Sequence, residues 1–205
     1  MSAVNKERRF PILTTLRAML PGSSDKRQWE DEYAGGAWQG LGRGSDADRY
    51  AIILRHLIRR GSASSVLDVG CGSGALLDFV ARADLTHYTG VDISEEALKQ
   101  AQARAGRIPS THFVASTAEA YTPDRLYDVI VFNEVVFYLQ DPRAVLTSYQ
   151  RFLAPDGLLL VSMLDCPLAR LLWHKLSRGF VTTERTNVGS GALSWSVRAL
   201  TIKAA

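Results

Sequence analysis

The sequence predicts an α/β protein: a parallel sheet with helices on both faces, an antiparallel hairpin at its C-terminal end, and a helical cap before it. Three observations predict this. From residue 65 onward, short apolar runs alternate with helix-patterned segments, the pattern that builds a parallel sheet. The run Val66-Leu67-Asp68-Val69 leads into Gly70-Cys71-Gly72-Ser73-Gly74, so a buried strand enters a tight turn where a ligand can lie against bare backbone. The last two apolar runs, 181–188 and 194–202, flank Gly189-Ser190-Gly191 and read as a hairpin. With 205 residues, 46% of them hydrophobic, one domain with one sizeable core is expected.

Residues 1–24 read as an N-terminal arm. Its apolar patch (Phe10, Ile12, Leu13, Leu16, Met19, Leu20) ends at Pro21-Gly22 and reads either as a docking amphipathic helix or as a loosely attached extension. Residues 25–33 read as a short helix carrying Trp29 and Tyr33, and the glycine-rich run 34–44 as a loop anchored by Trp38 and Leu41. Ser45-x-x-Asp48 resembles a capping box with Asp in place of Glu. It opens a helix with Ile52, Ile53 and Leu57 on its apolar face, which stops at Gly61. Together residues 25–60 form the helical cap of a domain spanning 25–205. Strands are then expected at 65–70, 87–92, 111–115, 126–133 and 157–163, and helices at 74–82, 94–106, 142–153 and 167–178. Ser94 is an N-cap with Glu95 and Glu96 in the first turn, and Pro142 fits the first helical position after an Asp141 cap.

Composition excludes several classes. The net charge of +3 and pI near 9.0 are mildly basic. The basic clusters (Lys6, Arg8, Arg9 and Arg17; Arg55, Arg59 and Arg60) are short enough to be solvated faces or helix-end charges, which argues against a nucleic-acid substrate. No stretch is apolar enough to span a bilayer. Pro11, Thr14, Thr15 and Arg17 interrupt the only apolar run near the N-terminus, so a secretory signal is not expected and a cytoplasmic protein is. Cys71 and Cys166 are too few for a disulfide framework. His56, His87, His112 and His174 lack ligand spacing, so no metal is expected. The sequence carries no signal of oligomeric state.

The glycine turn admits two ligands. Gly70, Gly72 and Ala75 satisfy the loose G-x-G-x-x-G/A pattern of dinucleotide folds, with Asp92 about 20 residues on, where a ribose-binding acid belongs. Asp68 favours another ligand. Its carboxylate at the strand end can brace the turn and face an ammonium group, whereas it would repel a pyrophosphate. The terminal hairpin agrees, because dinucleotide folds usually finish with another parallel unit.

On Asp68-Val69-Gly70-Cys71-Gly72-Ser73-Gly74 the chain resembles the class I S-adenosylmethionine-dependent methyltransferases, whose first motif is an acid followed by G-x-G-x-G. The resemblance covers roughly residues 25–205. It implies a Rossmann-like seven-stranded sheet and S-adenosylmethionine as cofactor, held at Asp68, Gly70, Cys71, Gly72 and Gly74. Tyr88-Thr89-Gly90-Val91-Asp92-Ile93-Ser94 looks like the second motif, which implies that Asp92 accepts both ribose hydroxyls beside Ile93. In Val114-Ala115-Ser116-Thr117-Ala118-Glu119, Thr117 stands where the family often has the acid that binds the adenine amino group. Adenine is therefore expected to rely on backbone near Ala118 and on packing. Asp128 to Leu139 looks like the fourth-strand motif, with Asn133 and Glu134 at its carboxyl end. It lacks both N-P-P-Y and the Pro-Cys nucleophile, and Cys166-Pro167 reads as a helix start.

Trp29, Tyr33, Trp38, Arg49 and Tyr50 are similar to the N-terminal cap of small bacterial methyltransferases acting on sugars and secondary metabolites. The likeness implies that Arg49 clamps the cofactor carboxylate, with Tyr33 as a hydroxyl contact to it. Glu134, Tyr138 and His174 are base candidates by location alone. The expected activity is methyl transfer to an oxygen or nitrogen of a small molecule, a carbohydrate or natural-product intermediate. Its rivals are an NAD(P)-dependent oxidoreductase and a non-catalytic cofactor-binding partner protein, an idea that Thr117 keeps open.

Overall fold

The computed structural model describes residues 25–60, 64–83, 85–106, 108, 110–190 and 193–203. The arm at 1–24 and the helix stop at Gly61 lie outside them. In chain order the elements are α1 (Lys26–Ala34), a 3-10 turn (Gly44–Asp46), α2 (Ala47–Arg60), β1 (Ser64–Val69), α3 (Leu77–Val80), β2 (Leu85–Asp92), α4 (Glu95–Arg104) and β3 (Thr111–Ala115). They continue with β4 (Tyr127–Asn133), a second 3-10 turn (Val136–Tyr138), α5 (Pro142–Gln150), β5 (Leu153–Leu164), α6 (Pro167–Leu176), β6 (Phe180–Ser190) and β7 (Leu193–Ile202).

One seven-stranded sheet runs β3-β2-β1-β4-β5-β7-β6. The first five strands pair in parallel, and β7 lies antiparallel to both β5 and β6. The apolar runs of β1 and β4 place them at the centre, where both faces are covered. Leu67, Val69, Ile130 and Phe132 face a core completed by α5 and α6. Val66, Val129 and Val131 face the opposite core, completed by α2 and α3. The strand order reverses between β1 and β4, so a crevice opens beyond their carboxyl ends, where open α/β sheets bind ligands.

The expected class is therefore the observed one, and differences lie at element ends. The helix expected at 74–82 shrinks to α3, four residues long, because turns continue through Leu76. Gly70, Gly72 and Gly74 all hold positive φ (73°, 54° and 75°), which delays helical geometry. β5 begins four residues early, at Leu153, and accommodates Asp156 at φ 61° where its register with β4 shifts. The side chain of Ser45, the expected first member of the capping box, lies outside what the structure describes. The Ser45 backbone is inside the 3-10 turn, and Asp46 accepts the Gly42 N–H of the preceding loop at 2.6 Å. Ser94 and Asp141 cap α4 and α5 as expected, accepting from the N–H groups of Ala97 and Ala144.

Candidate active site

At the carboxyl end of β1 the chain turns sharply. The N–H groups of Gly70 and Cys71 both donate to the Val91 carbonyl, at 2.7 and 3.0 Å, which ties the turn to β2. The Gly72 N–H donates to one oxygen of Asp92 at 2.8 Å, and the Ser94 N–H to the other at 2.9 Å. Burial raises the Asp92 pKa, and these backbone donors oppose the rise. Asp68 lies beneath the turn, 2% exposed. One of its oxygens accepts the Tyr88 hydroxyl at 2.7 Å, and the other has no partner among the described residues. Burial pushes this carboxyl up to about 7, against the Tyr88 hydrogen bond and helped by the charge on Asp92. The buried Cys71 side chain packs on Gly90, where a Cβ would meet its sulfur at 2.8 Å. Burial holds its thiol protonated.

The cap sits directly on this turn. A Cβ on Gly72 would run into the Tyr33 hydroxyl, so the glycine and the buried tyrosine fit each other. Around Tyr33 the rings of Trp29 and Trp38 lie 6.5 and 6.2 Å away, and Trp29 meets Tyr138 edge-on at 5.0 Å. The Trp38 indole N–H donates to Glu32 at 3.0 Å. Glu30 fastens α1 to the start of α4: its carboxylate accepts from the Ser94 hydroxyl at 2.9 Å and from the N–H groups of Glu95 and Glu96 at 2.7 and 2.9 Å. A helix N-terminus is a natural seat for a carboxylate.

Arg49 is buried at 4% exposure between the cap and the sheet. Its Nε donates to Asn133 Oδ1 at 3.1 Å, one terminal nitrogen pairs with Asp46, and the other donates to the Tyr50 hydroxyl at 3.1 Å. The guanidinium also lies over the Trp195 ring, 5.2 Å from its centroid. Burial works against the charge, but Tyr50, Asp46 and Glu134 more than offset it and lift the pKa above its ordinary value. Glu134 takes left-handed backbone, φ 63°, at the end of β4. Its oxygens accept from the Ser162 hydroxyl and the Leu164 N–H, both at 3.1 Å. Desolvation raises this carboxyl to about 7, with Arg49 pulling the other way.

The structure thus gathers Tyr33, Arg49, Asp68, Gly70, Gly72, Asp92, Asn133, Glu134 and Tyr138 around one crevice, with half-buried Ile93 beside Asp92. Besides Cys71 and Gly74, which pack on Gly90 and Ala101, three candidates stand apart from the others. Thr117 is exposed, and its hydroxyl accepts from the Ala120 N–H at 3.1 Å, closing a local turn. The Ala118 carbonyl already accepts the Tyr149 hydroxyl at 2.9 Å. His174 is exposed on the last turn of α6, about 10 Å along the helix axis from Pro167, and is not brought to the others. Sequence reasoning missed Glu30, Asp46 and Ser162. The one available signal was Glu30, which lies beside Trp29 on the cap helix and is three residues from Tyr33.

A glycine turn, an acid ending each of β1 and β2, and an antiparallel terminal hairpin define the class I S-adenosylmethionine-dependent methyltransferase fold. A family model described as "Methyltransferase domain" matches residues 45–192, so the chain belongs to that family. Nodulation protein S of Bradyrhizobium diazoefficiens is 31% identical over 118 residues, 56% of this chain and 56% of the relative. An uncharacterized methyltransferase of Mycobacterium tuberculosis is 33% identical over 129 residues, 62% and 64% respectively. The chain thus matches less than two thirds of the length of these curated relatives. Among solved structures, N-methyltransferase NodS from Bradyrhizobium japonicum WM9 in complex with S-adenosyl-L-homocysteine superposes with a TM-score of 0.73 at 21% identity. That match covers 85% of this chain and 96% of that one. Magnesium protoporphyrin IX methyltransferase from Synechocystis PCC 6803 with bound SAM gives 0.68 at 16% identity, covering 90% and 100%. No helix among the described residues is long and apolar enough to cross a membrane.

Proposed function

We propose that this chain transfers a methyl group from S-adenosylmethionine to an oxygen or nitrogen of a small molecule, a carbohydrate or natural-product intermediate. The observation that carries the reading is a buried Asp68 oxygen on β1, just before the glycine turn, with no partner among the described residues. That oxygen fits a cation such as the ammonium of a methionine moiety. A pyrophosphate would meet a carboxylate there, which speaks against the nicotinamide reading. Relatives named for N-methyl and for O-methyl transfer support keeping both acceptor atoms.

In this reading Asp68 holds the ammonium and Gly70 and Gly72 form the floor, while Gly74 packs closely on Ala101 of α4. Asp92 keeps lone pairs for the ribose hydroxyls, and Arg49 takes the carboxylate in exchange for Asp46. Adenine packs near Ile93 and Ala118, without a hydrogen bond from Thr117. The bound cofactor supplies an electrophilic methyl group on a sulfonium. The protein's own contribution is placement and exclusion of water, since in-line displacement depends on alignment. Trp29, Trp38 and Tyr138 wall the acceptor side. Glu134 is committed to Ser162 and Leu164, so it holds Arg49 by charge and positions rather than deprotonates.

Isothermal titration with S-adenosylhomocysteine and with NAD tests the reading, together with a methyl-transfer screen over sugar and natural-product amines and alcohols. S-adenosylhomocysteine binds and NAD does not, and Asp92→Ala loses about 2–4 kcal/mol of binding. NAD binding would replace this reading by an oxidoreductase. Cofactor binding with no transfer to any acceptor would leave a binding module.

A further inference from the structure

On the hairpin, three strands or more from the glycine turn, four polar side chains form a square. Arg185 pairs directly with Arg198 across β6 and β7, and Asn187 pairs with Ser196 one step along. Alternation puts all four on one face, and the Arg198 guanidinium shows which: it lies 3.9 Å from the centroid of Trp173, on α6. Each arginine is steered by a neutral neighbour. Arg185 Nε donates to Asn187 Oδ1 and Arg198 Nε to Ser196 Oγ, both at 3.1 Å. These bonds orient the guanidinium groups without neutralising them.

Like charges directly opposite on neighbouring strands destabilise a sheet. Among the described residues, the nearby carboxylates are engaged elsewhere. Glu184, the acid of β6, faces α2, where it pairs with Arg59 at 2.9 Å. Asp165, the carboxylate that acts on Arg198, is itself paired with Arg170 at 3.4 Å. Burial and the charge of Arg185 together press the Arg198 pKa down to about 10, against Asp165. Exposed Lys175 and Arg178 near the end of α6 add to the positive field.

We propose that Arg185, Asn187, Ser196 and Arg198 form a binding site for a phosphoryl group, a phosphate monoester in its dianionic form. Two guanidinium groups match two negative charges, and arginine engages phosphate oxygens in pairs. The Asn187 amide and the Ser196 hydroxyl supply further donors, and Trp173 holds Arg198 flat. The site is separate from the glycine turn and does not rest on the methyl-transfer reading.

The test uses the full chain at constant ionic strength, with chloride as the matching anion. Probes are inorganic phosphate and phenyl phosphate, read by isothermal titration and thermal unfolding. Both probes bind the unaltered protein and raise its unfolding temperature; tighter phenyl phosphate marks a phosphoryl group carried on a larger molecule, and equal affinity marks free phosphate. Arg185→Gln, at an exposed position, weakens binding at least tenfold. In phosphate-free buffer it unfolds at the same temperature as the unaltered protein or higher, because a repulsion is gone. S-adenosylhomocysteine affinity stays unchanged in this variant, and its loss from both proteins would count against the methyl-donor site alone. Equal phosphate stabilisation of both proteins, absence of binding, or a lower unfolding temperature for Arg185→Gln without phosphate would overturn the proposal.

Discussion

Asp68 has one oxygen bonded to Tyr88 and one without a partner among the described residues, in surroundings that raise its carboxyl to about 7. Its sign in solution follows. Between the ordinary carboxylate range and about pH 7 the folded form holds a proton that the unfolded chain has released. Stability contributed at low pH is therefore lost as the pH rises through 7. An ammonium beside Asp68 reverses the preference, because it favours the ionised form. S-adenosylhomocysteine affinity should then fall about tenfold for each pH unit below 7, with proton release on binding. Titration in two buffers of different ionisation enthalpy reads that release. Asp68→Asn should remove both the proton release and the pH slope; an unchanged slope would assign the titration elsewhere. Thr117 teaches the converse lesson. Its place in the motif was legible, but its hydroxyl closes a turn on Ala120, a choice made by local geometry that residue identity does not reveal.

At the scale of elements, α1 is held by its acid and by its rings. Glu30 accepts from three donors at the start of α4, and Gln100 donates to the Tyr33 carbonyl at 3.2 Å. Glu30→Gln removes a charge from a helix N-terminus, and loss of such a cap costs about 1–2 kcal/mol. S-adenosylhomocysteine should leave about tenfold faster while its association rate changes little, as stopped-flow would show. Equal effects on both rates would mean that Glu30 shapes the pocket rather than fastening the cap. Strands and helices from residue 65 onward were readable because burial on two faces leaves continuous apolar runs, as in Val129-Ile130-Val131-Phe132. Asp46 was not readable as a site residue, and Glu30 only through its place beside Trp29 on the cap helix. The partners of Glu30 lie 64–66 residues away, and Asp46 matters only because Arg49 is buried beside it. The length of α3 was misjudged because three glycines with positive φ prolong the turn.

Across the whole molecule, the cap, the switch point of the sheet and the hairpin converge on one crevice. The glycine-rich connection between α1 and α2 can change shape at Gly36, Gly42 and Gly44, all at positive φ, while Glu30 and the aromatic rings hold the closed arrangement. Limited proteolysis should cut near Gly35-Gly36 or between Gly42 and Gly44 in the free protein and slow when S-adenosylhomocysteine is added. Arg49→Ala should weaken that protection together with binding. Equal cutting with and without the ligand would make the cap a fixed packing element. Arg49 also links distant parts of the chain: Asp46 in the turn before α2, Asn133 at the end of β4 and Trp195 on β7. During synthesis Arg49 emerges well before Trp195, and a domain folds as a unit. A nascent chain therefore carries an unfinished pocket until β7 is made, and a product truncated before β7 would leave a buried cation without its aromatic cover.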